Sequence, residues 1–339
     1  MNTFGRKFRV SVFGESHGPY VGVTIDGVPS GLELGENDFA GDIDRRRPGL
    51  TGTTARKESD VPQIISGLYE GHTTGAPLTL LFANDNVNSA DYSRFTAVPR
   101  PGHADFSARE RFGQWTDPRG GGHFSGRLTL PVVAAGVVAK KLAAGIMDLE
   151  EDERIVEAGI VELGGIAGEF SDSAAVVGNM QWKQALEEAA AQGDSLGAVV
   201  ECRASLPAGI GDPFWDSVES VLSHAIFSIP GVRGIEFGDG FRAAAMKGSV
   251  HNDPFGPDGL PAKNGSGGVN GGISNGAPVL FRVAFKPTSS ISKGQETLDF
   301  EKGEMTTLAI KGRHDVCFAL RTPVIVEAMT AIVIADLIL

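Results

Sequence analysis

The chain has 339 residues, of which 41% are apolar, and this is enough to bury the core of a globular protein. Glycine is unusually frequent, at 46 residues, but no G-X-Y period accompanies it and proline contributes only 18, which excludes a collagen-like protein. The net charge of −12 is concentrated in an acidic lobe at about 148–219, which carries 16 acidic and three basic residues. This distribution disfavours nucleic acid as a partner but allows a small anionic ligand held by a few arginines.

The cysteine content and the apolar segments indicate a cytoplasmic protein. Cys202 and Cys317 are too few and too far apart for a disulfide framework, which favours a reducing compartment. The first 14 residues lack the pattern of a secretion signal. Glu327 and Asp336 interrupt the apolar stretch 323–339, so a core helix is expected there and no membrane span.

Short strand-like runs and helical segments alternate along the chain. Apolar runs bounded by glycine or proline predict strands at 8–13, 21–25, 198–204 and 279–285. Capping residues and prolines predict helices at 37–47, 131–141, 182–192, 213–227 and from 323 onward. The segment 132–142 and the last helix are apolar on most faces, so both should lie between other layers. The expected class is α+β, with central helices covered by sheets.

Two glycine-rich loops, RGGG at 119–122 and NGSGGVNGG at 264–272, interrupt this pattern. Neither is a G-x-G-x-x-G motif that opens a helix after a strand, and no P-loop motif is present. The loops either offer backbone N–H groups to an anion or are tight turns between strands.

Two early segments combine histidine, serine and arginine with glycine. In GESHG at 14–18, a turn directly after a strand should expose the imidazole of His17 at a sheet edge, although a single histidine there is more often structural than catalytic. In DRRRPG at 44–49, the arginines either complement a helix end or clamp phosphate and carboxylates.

Two later pairs of segments add further candidates for an anion site. RPGHAD at 100–105 and RGGGHFSGR at 119–127 lie in a basic stretch, since 94–127 holds six arginines and three acids. KPTSS at 286–290 and GRHD at 312–315 add a lysine, hydroxyls and a carboxylate. Asp315 is either an ordinary loop partner of Arg313, two residues before it, or a proton acceptor. A divalent metal held by His17, His103, His314 and Asp315 is an alternative, but close histidine spacing is lacking and no metal site is expected.

Together these motifs resemble the chorismate synthase family. The resemblance runs in order over nearly the whole chain, through GESHG, VGVTIDGVPSG, DRRRPG, RPGHAD, GGG with SGR, GGIS with KPTSS, and GRHD before the apolar last helix. It implies one domain over 1–339, folded as a β-α-β layered sandwich with central helices covered by antiparallel sheets. It also implies a cytoplasmic homotetramer.

The resemblance further implies an enzyme of the shikimate pathway and of aromatic amino acid biosynthesis. Such an enzyme forms chorismate from 5-enolpyruvylshikimate 3-phosphate by anti-1,4 elimination of phosphate. It requires reduced FMN although no net redox change occurs, and NADPH enters only as a reductant of the flavin. The hydrogen that is removed is not acidic, so a plain base at neutral pH faces a high barrier that an electron-rich flavin would lower.

The resemblance assigns roles residue by residue. His17 matches a histidine that protonates the leaving phosphate, His103 one that supports the reduced flavin, and Asp315 the carboxylate that accepts the proton by way of flavin N5. The implied substrate-binding residues are Ser16, Arg46, Arg127 and Arg313. The implied FMN contacts are His123, Phe124, Ser125, Pro230, Gly231, Gly271, Lys286, Pro287, Thr288, Ser289, Ser290 and Arg313.

Three departures from the family pattern accompany these matches. HFSGR at 123–127 keeps only the third and last positions of the usual Arg-Ser-Ser-Ala-Arg, LTG at 50–52 lacks a further arginine, and Val316 replaces a usual proline. The first departure favours a second hypothesis, a catalytically weak relative that binds flavin or shikimate-like acids. A metal-dependent hydrolase that uses the His/Asp set is the third hypothesis.

Overall fold

In the computed structural model of the chain, which describes residues 2–49, 52–53, 59–85, 92–150, 153–173, 175–310, 312 and 314–339, the N-terminal strands form an antiparallel sheet. The N-terminal strands are β1 (Thr3–Phe4), β2 (Arg9–Gly14), β3 (Tyr20–Asp26), β4 (Gln63–Ser66), β5 (Leu68–Tyr69), β6 (His72–Thr73) and β7 (Leu78–Ala83). The sheet has the spatial order β1-β2-β3-β7-β4. Strands β5 and β6 form a separate two-stranded ribbon, which lies between β4 and β7 in the chain.

The later strands form a second antiparallel sheet and two small ribbons. They are β8 (Val156–Leu163), β9 (Ile166–Ser171), β10 (Ala198–Ala204), β11 (Val232–Phe237), β12 (Val269–Asn270), β13 (Ile273–Ser274), β14 (Val279–Phe285), β15 (Gln295–Asp299) and β16 (Glu304–Leu308). The sheet has the order β11-β14-β10-β8-β9, and the ribbons are β12–β13 and β15–β16. Burial alternates along the central strands of the sheet because one face meets the core and the other does not.

The α-helices of the described residues include two long ones that lie between the sheets. They are α1 (Ala40–Arg46), α2 (Asp105–Phe112), α3 (Thr129–Ile146), α4 (Met180–Ala191), α5 (Val218–Ile226), α6 (Gly248–His251) and α7 (Pro323–Ile338). Helix α3 packs on the first sheet, α7 packs on the second, and the two helices pack on each other. This confirms the α+β layered sandwich with central helices covered by antiparallel sheets.

The contact between α3 and α7 explains why both helices are apolar on most faces. A Cβ atom at Gly136 of α3 would lie 2.3 Å from the Cβ of Ala328 in α7, so only glycine permits this approach. Among the described residues, the helical segment Gly126–Ile146 is long and apolar enough to cross a membrane, but 72% of its apolar window is buried inside the protein. Its composition therefore follows from its position in the core.

Most sequence-predicted elements are confirmed, and the boundaries differ where a cap intervenes. The strands predicted at 198–204 and 279–285 have those bounds. The helix predicted at 213–227 begins only at Val218, because Phe214 has a φ of +67° and Ser217 caps the helix by accepting a hydrogen bond from the Ser220 amide.

An ion cluster around one buried carboxylate, here called the core ion cluster, joins α1, α3 and α7. It consists of Asp42, Arg45, Lys140 and Glu327. Glu327, only 3% exposed, accepts hydrogen bonds from both Arg45 Nη atoms (2.6 and 2.7 Å), from Lys140 Nζ (3.0 Å) and from the Ala158 amide (3.0 Å). Burial penalises the Glu327 carboxylate, but the contacts with Arg45 and Lys140 outweigh it and hold the pKa of Glu327 below its ordinary value. The cluster keeps its charges because each is paired.

Candidate active site

The site is organised around three consecutive glycines, here called the triple-glycine loop (120–122). Gly120, Gly121 and Gly122 have φ values of +60°, +84° and +53°, a conformation that other residues adopt only with strain. A Cβ at Gly120 would lie 2.5 Å from His17 Cδ2 and 2.7 Å from Ser16 Oγ. The loop therefore packs directly on the turn that follows β2.

His17 is buried, contrary to the expectation that the turn would expose it. The residue is 6% exposed because the triple-glycine loop covers it and the Tyr92 ring meets its imidazole edge-on, at 5.2 Å between centroids. The Ser16 amide donates to the Gly122 carbonyl (3.0 Å), and Ser125 Oγ donates to Ser16 Oγ (3.1 Å). Ser16, His17 and Ser125 thus meet in one place.

His103 approaches the same loop from the segment before α2. A Cβ at Gly121 would lie 3.5 Å from His103 Cε1, so both predicted histidines contact the triple-glycine loop. His103 Nδ1 is 2.6 Å from Asp105 Oδ1 and 3.0 Å from Arg100 Nη2. Because one ring nitrogen cannot donate to the acid and also accept from the guanidinium, the shorter contact identifies Nδ1 as a donor to Asp105. The Nε2 edge then faces Gly121.

Arg100 and Asp105 stabilise the position of His103. The Arg100 guanidinium donates to both Asp105 oxygens (2.7 Å each) and to Ser290 Oγ (3.2 Å). Burial penalises the Asp105 carboxylate, but hydrogen bonds from Arg100 and His103 outweigh it and hold the pKa of Asp105 well below its usual range. The acid is therefore ionised and orients the imidazole.

Arg46 and Arg127 meet at a second buried ion cluster, here called the arginine cluster, which consists of these two residues and Asp60. Arg127 Nη1 contacts Asp60 Oδ1, and Arg46 Nη1 lies 3.8 Å from Asp60 Oδ2. Arg46 also donates to Thr129 Oγ1 (3.0 Å) and to the Gly126 carbonyl (2.9 Å). Both predicted substrate-binding arginines thus share one carboxylate at the start of α3.

The segment 286–290 is connected to the His103 loop. Lys286 Nζ contacts the Gly102 carbonyl and Ser289 Oγ (2.6 Å), and Ser289 Oγ donates to the same carbonyl (2.8 Å). Burial and repulsion from Arg233 lower the pKa of the Lys286 ammonium. Within the described ranges neither Lys286 nor Arg233 forms an ion pair with a carboxylate. The buried Oγ1 of Thr288 has no hydrogen-bond partner there either.

The other predicted FMN contacts divide into two groups. The Gly231 carbonyl, next to the exposed Pro230, accepts from the Lys286 amide (3.0 Å), so this pair is joined to the 286–290 segment, which also includes the exposed Pro287. Gly271 lies in the turn between β12 and β13, where its neighbour Gly272 accepts from Val218 at the start of α5 (2.9 Å). The described contacts join this turn to α5 through Gly272.

His123 and Phe124 have contacts of their own. His123 Nδ1 is 2.8 Å from the Gly14 carbonyl and Nε2 is 3.2 Å from Asn2 Oδ1, so the imidazole ties the loop to the N-terminal strands. Phe124 is 37% exposed and its ring tilts against Phe112. Both residues flank the triple-glycine loop on its C-terminal side.

Asp315 forms an ion pair with Arg321, a partner that its local spacing does not indicate. Arg313 lies outside the described residues, and the 8% exposed Asp315 pairs with Arg321 Nη2 in the turn before α7. The following residue, Val316, donates its amide to the Gly52 carbonyl (2.9 Å), which brings this segment to the chain after the arginines of α1. Within the described ranges no three His, Cys, Asp or Glu side chains form a group that could hold a metal ion.

Sequence reasoning missed several residues that hold the predicted ones. Asp105 and Arg100 lie inside the RPGHAD motif, so the alternation of charges around His103 was a usable signal. Asp60, Asn84 and Arg321 meet their partners only through the fold, at separations of 67, 43 and 6 residues from Arg127, Arg127 and Asp315. No local pattern marks them.

Comparison with known proteins gives consistent results. A family model described as chorismate synthase matches residues 8–339. A protein named chorismate synthase from Chitinophaga pinensis is 53% identical over 342 aligned residues, which cover 100% of this chain and 97% of that protein. One of the same name from Korarchaeum cryptofilum is 45% identical, over 98% and 96%. A crystal structure of a chorismate synthase aligns with a TM-score of 0.72 and 25% identity, over 98% of this chain and 92% of the other.

Proposed function

The chain belongs to the chorismate synthase family and is a lyase of the shikimate pathway, and from this premise we propose its substrate, cofactor and residue roles. The substrate is 5-enolpyruvylshikimate 3-phosphate, from which a C–O bond to phosphate and a C–H bond are broken to give chorismate. The observation that carries this proposal is the convergence of His17 and His103 on the triple-glycine loop, with Ser16 and Ser125 between them.

His17 donates a proton to the departing phosphate. Its burial under the triple-glycine loop restricts water around the imidazole, so a proton is passed to a bound group in preference to solvent. Arg46 and Arg127 hold the anionic groups of the substrate, and Asp60 keeps the two guanidiniums side by side. Arg313 is assigned to the same role from the family pattern alone.

The donor set of the 286–290 segment fits a flavin phosphate. Lys286 and Arg233 repel each other and lack carboxylate partners among the described residues, and the buried Thr288 hydroxyl there lacks a hydrogen bond. A bound anion would offset the repulsion between the two cations and accept a hydrogen bond from the Thr288 hydroxyl. Reduced FMN, when bound, supplies electron density to the breaking C–O bond. Lys286, Thr288 and Ser289 would hold its phosphate, with Pro230, Gly231, Pro287 and Ser290 beside them.

His103 and Asp315 complete the assignment. His103, oriented by Asp105, presents its Nε2 edge to the triple-glycine loop, where an N–H on Nε2 supports the negative charge of a reduced flavin ring. Asp315 accepts the proton that leaves the substrate ring, while Arg321 holds the carboxylate in place. We also propose that the chain is one cytoplasmic domain that assembles as a homotetramer, and that NADPH acts only as a reductant of the flavin.

An anaerobic assay with reduced FMN and 5-enolpyruvylshikimate 3-phosphate tests the proposal. Equal amounts of chorismate and phosphate support it, with no flavin oxidised per turnover. Binding of flavin without product would identify a catalytically weak relative. Activity that needs no flavin and is lost with a chelator would identify a metal-dependent hydrolase.

A further inference from the structure

Asn84 lies directly after β7 and uses both ends of its side-chain amide. Nδ2 donates to the carbonyl oxygens of Gly18 (2.8 Å) and Glu15 (3.1 Å), and Oδ1 accepts from Arg127 Nε (2.9 Å). The backbone amide of Asn84 also donates to the Pro19 carbonyl (3.1 Å). The residue therefore fastens the chain that follows β2 to the guanidinium of Arg127.

The two carbonyls that Asn84 holds are the first and last of a four-residue turn. The Gly18 amide donates to the Glu15 carbonyl (3.0 Å), which closes this turn, and Ser16 and His17 are its two central residues. A turn held at both ends has little freedom to rotate, so the direction of the His17 side chain depends on Asn84.

We propose that Asn84 is a positioning residue that keeps the His17 imidazole and the Arg127 guanidinium in one fixed arrangement. The inference rests on the proposed function, in which His17 protonates the phosphate and Arg127 holds an anionic group of the same substrate. One amide that binds both elements makes their separation independent of substrate binding, and such preorganisation lowers the barrier.

The rest of the turn's support does not replace this link. The Ser16 amide still donates to Gly122, and Tyr92 still covers the imidazole. Ser125 Oγ also connects Ser16 Oγ to the Arg127 amide, but none of these contacts reaches the Arg127 guanidinium. Loss of the Asn84 side chain should therefore leave the fold intact and loosen the turn.

The test compares Asn84→Ala and Asn84→Asp with a matched control, Asn179→Ala. Asn179 also holds backbone groups with its side chain, since it caps α4 by accepting from the Gln181 and Trp182 amides. Carbethoxylation of His17 by diethyl pyrocarbonate, followed by peptide mass spectrometry, measures its accessibility without any substrate or flavin. We expect His17 to react at least about 5-fold faster in both Asn84 variants and at the wild-type rate in Asn179→Ala, because freedom of the turn uncovers the ring.

Kinetics provide the second measurement. Asn84→Ala should lower kcat by about 10- to 100-fold, as expected when a reacting group is misplaced by about 1 Å. In a His17→Ala background the same change should lower kcat less than about 3-fold, because residues that act as a unit are not additive. Asn84→Asp should resemble Asn84→Ala, since a carboxylate keeps the acceptor for Arg127 but loses both donors to the turn.

Two results would overturn the inference. One is an equal loss of kcat from Asn84→Ala in the wild-type and His17→Ala backgrounds, which would mean that Asn84 acts separately from His17. The other is His17 reactivity in the Asn84 variants equal to that of Asn179→Ala. If the wild-type enzyme forms no chorismate, the proposed function fails instead, and the His17 reactivity alone then decides whether Asn84 positions the turn.

Discussion

Arg45 and Arg46 are neighbours in α1, yet they enter different ion clusters. Arg45 joins the core ion cluster through two hydrogen bonds to Glu327, whereas Arg46 joins the arginine cluster beside Asp60. Successive residues of an α-helix point about 100° apart, so α1 sends one guanidinium between the central helices and the next toward the start of α3. The two neighbouring guanidiniums therefore contact different carboxylates, Glu327 and Asp60.

The two clusters show that buried charge alone does not identify a functional site. In the core ion cluster, Glu327 accepts hydrogen bonds from Arg45, Lys140 and the Ala158 amide. These contacts join α7 to α1, α3 and β8. The arginine cluster instead borders the turn of His17, through the contact of Arg127 with Asn84. Proximity to a glycine-rich turn that carries a histidine distinguishes the second cluster.

The largest expected effect separates the clusters by stability. Glu327→Ala should lower the free energy of unfolding by about 3 kcal/mol, because it removes the buried carboxylate that accepts from Arg45 and Lys140 and leaves the Ala158 amide without its acceptor. Activity per folded molecule should change little. Denaturant titration measures the first quantity, and turnover at low temperature measures the second.

Asp194→Ala is the matched control for this change, since Asp194 pairs with Lys293 at the surface. It should cost less than about 1 kcal/mol. A similar small cost for Glu327→Ala would contradict the structural role assigned to the core ion cluster.

Asp315→Asn should act on the chemistry. The change keeps the size of the side chain and its contact with Arg321 but removes the proton acceptor. We expect folding and FMN binding to persist while single-turnover product formation slows at least about 100-fold. A normal rate together with a lower melting temperature would show that Asp315 is only a partner of Arg321.

Lys286→Ala should act on cofactor affinity. Loss of a donor to an anionic group should weaken FMN binding by about 10-fold, measured by anaerobic titration with reduced flavin. The exposed Lys293→Ala serves as the control and should leave the affinity unchanged. Equal FMN affinity for wild type and Lys286→Ala would place the flavin phosphate elsewhere.

A smaller effect concerns pH. The pKa of Glu327 lies below its ordinary value of 4.5 in the folded state, so the core ion cluster contributes stability above that value and loses it as pH falls through the folded pKa. Wild-type unfolding free energy should therefore decline more steeply below about pH 4.5 than that of Glu327→Gln. Parallel declines would mean that other carboxylates dominate acid unfolding.

Much of the fold was predictable from local pattern. The strands at 198–204 and 279–285 and the helix from Pro323 follow from bounded apolar runs and a helix-starting proline, signals that need no tertiary partner. The start of α5 at Val218 was not predictable, because the left-handed conformation of Phe214 depends on its surroundings.

The residues that we propose to react lie in motifs visible in the sequence, whereas the residues that support them do not. His17 and His103 lie in motifs dense in glycine and charge, which are visible in the sequence. Asp60 and Asn84 reach Arg127 across long separations, and the burial of His17 depends on a loop more than 100 residues away. Such contacts arise from packing of the layers, on which sequence spacing carries no information.

The most direct measurement is single-turnover release of phosphate under anaerobic conditions, with reduced FMN, for wild type, His17→Ala and His224→Ala. His224 lies on α5, where its ring contacts that of Phe4, and it serves as a histidine outside the site. If His17 protonates the departing phosphate, His17→Ala lowers the rate by about 10²–10⁴ with nearly unchanged FMN affinity, and His224→Ala does not. Phosphate release by His17→Ala at the wild-type rate would contradict this assignment.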